Sequence, residues 1–212
     1  MNRLRVVLLA VLCWQASVPR AAAQKRVLSF SCSTFPMDIG EADLRMQFGV
    51  ENVTTGQVPW GGAEGDSNEG TILFAMTPDA RLEIFWRNRQ GKRMPDWISV
   101  RGRQSRWRTP TGITLGTNLR TLERLNGRPF RLLGFGTDVS GTVMSWSGGQ
   151  LQSQDSPQCR VRLRTAPPRE TTQNGTALTF RELLGEREFS SGHPMMQTLD
   201  PSVYEMFLSY AR

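Results

Sequence analysis

The chain has 212 residues, and 38% of them are hydrophobic, which is enough for the core of one ordinary domain or two small ones. The formal net charge is +7 at pH 7, and every basic residue except Lys25 and Lys92 is arginine. Such an arginine skew is typical of a GC-rich genome and does not by itself indicate a nucleic-acid or phosphate partner.

The first 23 residues have the three parts of a secretory signal peptide: a basic start, an apolar stretch at 6–14 and a small-residue exit at 21–23. The apolar stretch is well short of the ~20 residues that span a bilayer. We therefore expect cleavage between Ala23 and Gln24, and a periplasmic or secreted mature chain without a transmembrane span. The basic residues then fall from 26 to 23 against 19 acids, which leaves a net charge of about +4. This location excludes nucleic acid as a partner, and no cofactor is predicted.

The three cysteines divide between the leader and the mature chain. Cys13 lies in the leader, where Leu12 replaces the small residue that lipid attachment requires, so a lipoprotein is disfavoured. Cys32 and Cys159 form an even pair in an oxidising compartment, and we expect a disulfide between them. The alternative is a pair of reduced, buried cysteines.

One pattern of elements occurs twice along the chain. In the first copy, residues 41–49 end in Phe-Gly, a glycine-rich loop follows, and a strand-like segment starts at Gly70. In the second copy, residues 118–127 end in Asn-Gly, another glycine-rich loop follows, and the strand-like segment starts at Gly141. Matching positions lie 71 to 78 residues apart, which predicts a tandem duplication with loops of different length.

Each copy is predicted to form a short helix followed by strands. Residues 41–48 and 118–126 have helical spacing of apolar residues, closed by Gly49 and Gly127. Because helices of about two turns are not stable alone, they must pack on a sheet. The β-prone or alternating segments that supply its strands are residues 82–87, 97–101, 130–135, 143–146 and 204–210.

The predicted fold class is therefore α+β, with two tandem repeats of a short helix packed on an antiparallel β-meander. The first repeat covers residues 24–110 and the second 111–165. Residues 166–212 form a linker and a C-terminal extension that ends in a strand. Residues 164–175, rich in Pro, Thr, Asn and Gly, are expected to form the extended surface part of that linker.

The second copy carries a resemblance to a known kind of protein. It reads Gly-Ile-Thr-Leu-Gly at 112–116, Asn-Gly-Arg-Pro-Phe at 126–130 and a Gly-Phe-Gly loop from Gly134 to Asp138. In these features it resembles uncharacterised exported Gram-negative proteins with tandem repeats of the β-lactamase-inhibitor-protein type. The resemblance covers roughly residues 39–163 and implies a binding module more than an enzyme. It implies no individual contact residue.

Few residues point to catalysis or to a metal. His193 is the only histidine and lies in a Gly-Pro loop, whereas zinc sites need several histidine or cysteine ligands. Glu64, Asp66 and Glu69 share a glycine-rich loop but lack the spacing of a calcium loop. We therefore predict no catalytic residue and no metal site.

The two glycine-rich loops are the first candidates for a binding surface. The first carries Trp60 and Asp66, and the second carries Phe135 and Asp138. An aromatic side chain can anchor a partner, and an acid can pair with a basic group. If the repeats pack side by side, both loops can emerge at one edge. The alternative is that Trp60 and Phe135 fold back onto the core while the acids serve turn geometry.

A basic and aromatic run that includes Arg103, Arg106 and Trp107 is the second candidate. Its guanidinium groups and indole can dock an acidic protein or a polyanionic envelope component. The alternative is a solvated connector whose Trp107 packs inward. The leading hypothesis is thus an exported, non-enzymatic protein-binding module, such as an enzyme inhibitor or an envelope-assembly factor. The other is an extracytoplasmic hydrolase that uses two facing carboxylates.

Overall fold

The structure is a computed structural model that describes residues 26–59, 67–168 and 181–211, so the predicted leader lies outside the described residues. Within these ranges the chain is a mixed α/β protein, built mainly of β-sheets with few helices. The helices are α1 (Glu41–Phe48), α2 (Leu119–Asn126) and α3 (Pro194–Leu199). The strands, in chain order, are β1 (Leu28–Ser29), β2 (Val53–Pro59), β3 (Ser67–Leu73), β4 (Leu82–Asn88), β5 (Arg93–Arg101), β6 (Trp107–Arg108), β7 (Arg131–Leu133), β8 (Val143–Ser145), β9 (Cys159–Ala166), β10 (Glu188–Ser190) and β11 (Ser202–Tyr210).

The largest sheet has six antiparallel strands in the order β2-β3-β4-β5-β11-β9. A second, three-stranded antiparallel sheet has the order β10-β7-β8, and β1 pairs with β6 in parallel. A single antiparallel bridge between Thr142 and Arg164 joins the start of β8 to β9. The predicted C-terminal strand is present as β11, and it lies inside the large sheet, between β5 and β9.

Both predicted helices are present, and their ends have local causes. The Asn118 side chain accepts a hydrogen bond from the Thr121 N–H at 3.1 Å, which satisfies one of the unpaired donors at the start of α2. Gly127 ends α2 in the left-handed conformation, at φ +75°. In α1, Glu41 pairs with Arg45 one turn later at 2.8 Å.

The large sheet has a different apolar cluster on each face. Side chains such as Ile84, Ile98 and Met206 join the main core, which also holds the buried apolar residues of the three described helices. Because side chains alternate along a strand, Phe85 and Trp97 point to the other face, where Phe85 packs with Val58 and Ile72 in a smaller cluster. The three described helices therefore all pack on the first face.

A disulfide joins Cys32 to Cys159, as the sequence predicts. Their Cα atoms are 5.9 Å apart, inside the usual range of ~4.4–6.8 Å. The bond links the segment before α1 to the first residue of β9, across a sequence separation of 127. It therefore ties the start of the first predicted repeat to the last strand of the second.

The predicted tandem repeats and the predicted surface linker can also be compared with the structure. The helix-plus-strands order of each copy is present, but β2 to β5 lie in the large sheet, whereas β7 and β8 belong to the small one. The tandem duplication thus stays a prediction. The expectation that residues 164–175 form a surface linker was wrong at its start. Arg164 lies inside β9 and is buried. Its guanidinium group can be buried there because it pairs with the Glu205 carboxylate.

Candidate functional site

The second glycine-rich loop, residues 134–141, is closed upon itself. The Gly141 N–H donates to the Gly134 carbonyl at 2.9 Å, so the two ends of the loop are bonded to each other. At Phe135, the N–H donates to the Leu183 carbonyl at 2.8 Å and the carbonyl accepts from the Gly185 N–H at 2.9 Å. The loop base is therefore held by backbone bonds to a neighbouring segment.

A second anchor ties the loop to the large sheet. The backbone N–H of Thr165 in β9 donates to the Gly141 carbonyl at 3.0 Å, and its hydroxyl donates to the same oxygen at 3.1 Å. Gly141 has φ +60°, and a Cβ there would overlap the Thr165 carbonyl oxygen. Only glycine permits this approach without strain, so the residue type itself fixes the loop against β9.

The tip of the loop reaches solvent. It turns at Thr137 and Ser140, where the Thr137 N–H donates to the Ser140 hydroxyl at 2.8 Å. Gly136 and Asp138 are exposed. Phe135, in contrast, is only 2% exposed and belongs to the main core. This agrees with the alternative in which Phe135 folds back, and it leaves Asp138 as the side chain that the loop presents.

The first glycine-rich loop cannot be placed beside it. Trp60 and Asp66 lie outside the described residues, as does Glu64. The expectation that both loops form one surface therefore stays a prediction.

A cavity of about 310 Å3, which we call the Asp138 cavity, lies between the loop tip and the large sheet. Its lining includes Asp138, Tyr204, Arg101, Arg164 and Glu205. The last three come from neighbouring strands, because Glu205 of β11 lies opposite both Arg101 of β5 and Arg164 of β9. The strand register thus brings two arginines and one acid together, and the loop adds Asp138.

Glu205 is fully buried and is held by the two arginines. Arg101 Nε donates to its Oε1 at 2.7 Å, and Arg164 Nη1 lies 3.2 Å from its Oε2. The sequence does not predict this triad, because its members lie as much as 104 positions apart and no local motif connects them. Burial first, and then the Glu205 charge, raise the pKa of Tyr204, so the Tyr204 hydroxyl keeps its proton at neutral pH.

The triad has the geometry of a structural ion-pair network. Both carboxylate oxygens of Glu205 face guanidinium groups. The Arg164 guanidinium also lies 5.4 Å above the ring of Phe207, which stacks on Trp97 at 3.9 Å. Because burying charges costs desolvation energy, such a network is weak evidence for a net gain in stability.

The basic run divides between core and surface. Trp107 is fully buried, and its Nε1–H donates to the Ala80 carbonyl at 2.6 Å, in agreement with the inward-packing alternative. Arg103 is exposed in the bend after β5. Arg106 is partly exposed, lies 3.6 Å from the Asp79 carboxylate, and lines a separate cavity of about 500 Å3. The structure therefore does not bring these residues to one site with Asp138.

His193 has a local structural contact. Its Nδ1 accepts a hydrogen bond from the Met195 N–H at 3.2 Å at the start of α3, and its ring lies edge-on to Phe189. Among the described residues, no group of three or more His, Cys, Asp or Glu side chains is arranged to hold a metal ion. The histidine thus belongs to a helix cap.

No family model matches the chain, and no curated protein or solved structure matches it either. Within the described ranges, no helix is both long and apolar enough to cross a membrane.

Proposed function

We propose that this protein is an exported, non-enzymatic binding module that recognises another extracytoplasmic protein. The observation that carries the proposal is the closed loop 134–141, which is anchored at both ends and presents Asp138 to solvent. A loop held in one conformation binds with a smaller loss of conformational entropy than a mobile one. Rigid scaffolds commonly carry recognition residues on such loops.

The negative charge of Asp138 determines which kind of group we expect on the partner. The exposed Asp138 carboxylate pairs with a basic group on the partner, which favours a specific orientation and fast association. The intramolecular disulfide is compatible with an oxidising, extracytoplasmic compartment. The predicted leader and the resemblance to tandem-repeat exported proteins point the same way. Inhibition of an extracytoplasmic enzyme and envelope assembly are the two versions of this function.

The exposed Arg103 supports a second kind of contact, with a polyanionic envelope component. This arginine lies in the bend after β5, outside the lining of the Asp138 cavity. A polyanion contact would therefore depend on Arg103 and salt concentration but not on Asp138.

One observation favours the hydrolase alternative. Asp138 and Glu205 line the same cavity, and glycoside hydrolysis needs two carboxyl groups facing one cleft. However, glycoside hydrolysis needs one carboxyl group as the acid and the other as nucleophile or base, and the two arginines occupy both oxygens of Glu205, so Glu205 is free for neither role. We therefore place the binding module first. Hydrolysis of glycan substrates by the wild type that Asp138→Asn abolishes would reverse this order.

Covalent capture tests the proposal in the native envelope. We would place the photoreactive residue p-benzoylphenylalanine at Val139, next to Asp138 in the loop, so that the Asp138 carboxylate is kept. The matched control position is the exposed Asp38, which lies beside Arg93 at the start of β5, whereas Arg101 at the end of that strand lines the Asp138 cavity. We expect a discrete crosslinked protein from position 139 and none from position 38. The same adducts from both positions, or none from position 139, would contradict the proposal.

A further inference from the structure

The cavity of about 500 Å3 lined by Arg106 has features of a ligand site of its own, and we call it the Arg106 cavity. It lies between β1, the last turn of α1 and the turn after β3. Its volume is in the usual range of ligand pockets, ~300–1,000 Å3. The lining residues that matter here are Arg26, Leu28, Gln47, Phe48, Phe74 and Arg106.

Aromatic rings form the apolar wall of the Arg106 cavity. Phe48 and Phe74 are half-buried, with ring centroids 5.9 Å apart and nearly perpendicular planes. Behind them, the fully buried Trp107 packs 5.8 Å from Phe48 and 6.4 Å from Phe74, so the wall is held rigidly by the core. Phe74 keeps a left-handed backbone conformation at φ +52°, a strained state that the surrounding structure maintains.

Two arginines form the polar part. Arg26 is exposed, and Arg106 has 22% of its side chain exposed. The lining contains the hydroxyls of Ser29 and Thr34 but no carboxylate. Asp79 lies 3.6 Å from Arg106 and is not among the lining residues. The cavity therefore combines an apolar wall with an excess of positive charge.

We propose that the Arg106 cavity binds a fatty-acid-like anion, with its acyl chain against Phe48 and Phe74 and its carboxylate at Arg26 and Arg106. Guanidinium groups favour carboxylate ligands because they donate two parallel hydrogen bonds. The volume favours a chain over a single ring, since a cavity of about 150 Å3 already holds benzene. This inference does not rest on the Asp138 loop, which lines a different cavity.

The first test compares ligands by calorimetry on the chain purified from its native host. The probes are dodecanoate, octanoate, benzoate and dodecyltrimethylammonium, each below its micelle concentration. We expect dodecanoate to bind most tightly, with affinity falling about fourfold for each methylene removed. Equal binding of dodecyltrimethylammonium would contradict the carboxylate contact. Benzoate binding as tightly as dodecanoate would contradict the acyl chain, and the absence of dodecanoate binding would overturn the whole inference.

The second test uses variants that leave the core intact. Arg26→Gln removes an exposed charge, and we expect it to weaken dodecanoate binding about fivefold. Gln47→Glu puts a negative charge on the exposed last turn of α1, and we expect about threefold weaker binding, with Gln47→Lys acting in the opposite direction. The matched control Gln90→Glu lies in the turn between β4 and β5 and should change nothing. If Gln90→Glu weakens binding as much as Gln47→Glu, the ligand binds elsewhere.

Discussion

Single glycines fix the loop that carries Asp138. At Gly134, a Cβ would overlap the carbonyl oxygens of Leu183 and Gly185, and at Gly141 it would overlap that of Thr165. The sequence identified this loop through its glycines and its aspartate, but not its orientation. The orientation depends on bonds to β9 and to the segment that contains Leu183, which are distant in sequence. Because the sequence alone does not give this orientation, it left two interpretations of Phe135 open: an anchor for a partner or a core residue.

We expect Gly141→Ala to lower the free energy of unfolding by about 3 kcal/mol or more, because backbone strain and overlap with Thr165 add together. Gly112→Ala is the matched control, since Gly112 has φ +85° but open space around its Cβ position. It should cost only about 1 kcal/mol. Urea denaturation measures both values. Equal losses would mean that the close approach to Thr165 does not matter.

Among the elements, the helices were the most predictable and the sheets the least. The ends of α2 depend on Asn118 and Gly127, which act within one turn, so local sequence is sufficient. The insertion of β11 between β5 and β9 depends on contacts across about a hundred residues, including the triad centred on Glu205. The alternation of residues 204–210 predicts a strand, but it does not show which strands pair with it.

Glu41, the first residue of α1, is a titratable group with three polar partners. Glu41 accepts from the Thr71 hydroxyl at 2.6 Å, from Arg45 at 2.8 Å, and lies 3.2 Å from Lys92. Burial raises the pKa of Glu41, but these three partners outweigh it and lower the pKa below its ordinary value of 4.5. The folded chain thus binds fewer protons than the unfolded chain near that pH.

Glu41→Gln should therefore lower the free energy of unfolding by about 1–3 kcal/mol at pH 7. The ionised form supplies this stability above pH 4.5, and it is lost as the pH falls through the lowered pKa of the folded state. Denaturation curves at pH 7 and pH 3 measure the difference. The exposed Glu182→Gln is the control and should show no such loss. A cost for Glu41→Gln that is equal at both pH values would contradict the assignment.

At the scale of the whole molecule, the disulfide closes most of the described chain into one loop. In the chain-entropy model, a loop of 127 residues contributes about 4–5 kcal/mol of stability. The pair was predictable because compartment and an even cysteine count leave one pairing in the mature chain. The arrangement of the sheets around it was not, since the three sheets share one continuous core that includes both predicted repeats.

Replacing both Cys32 and Cys159 with Ser should lower the free energy of unfolding by about 4 kcal/mol. Chemical denaturation measures it, and the reduced wild type should match the variant. The denatured, unreduced wild type should show no free thiol from this pair. Two titratable thiols, or a double variant as stable as the wild type, would contradict the bond.

Export of the protein, with loss of its predicted leader, is a further prediction for the whole molecule. The intact mass of the protein from its native host should match a chain that begins at Gln24, because the leader has a basic start, an apolar stretch and a small-residue exit. Fractionation should find the chain in the periplasm or the medium. A full-length mass in the cytoplasmic fraction would contradict both the leader and the proposed function.

The affinity of Asp138 variants for the partner captured by crosslinking tests the central claim most directly. Calorimetry should show that Asp138→Asn weakens binding by about 2 kcal/mol, while the control Asp38→Asn binds like the wild type. Thermal unfolding of both variants should be unchanged, because both side chains are exposed. Wild-type affinity in Asp138→Asn, or an equal loss in Asp38→Asn, would contradict recognition through the loop tip.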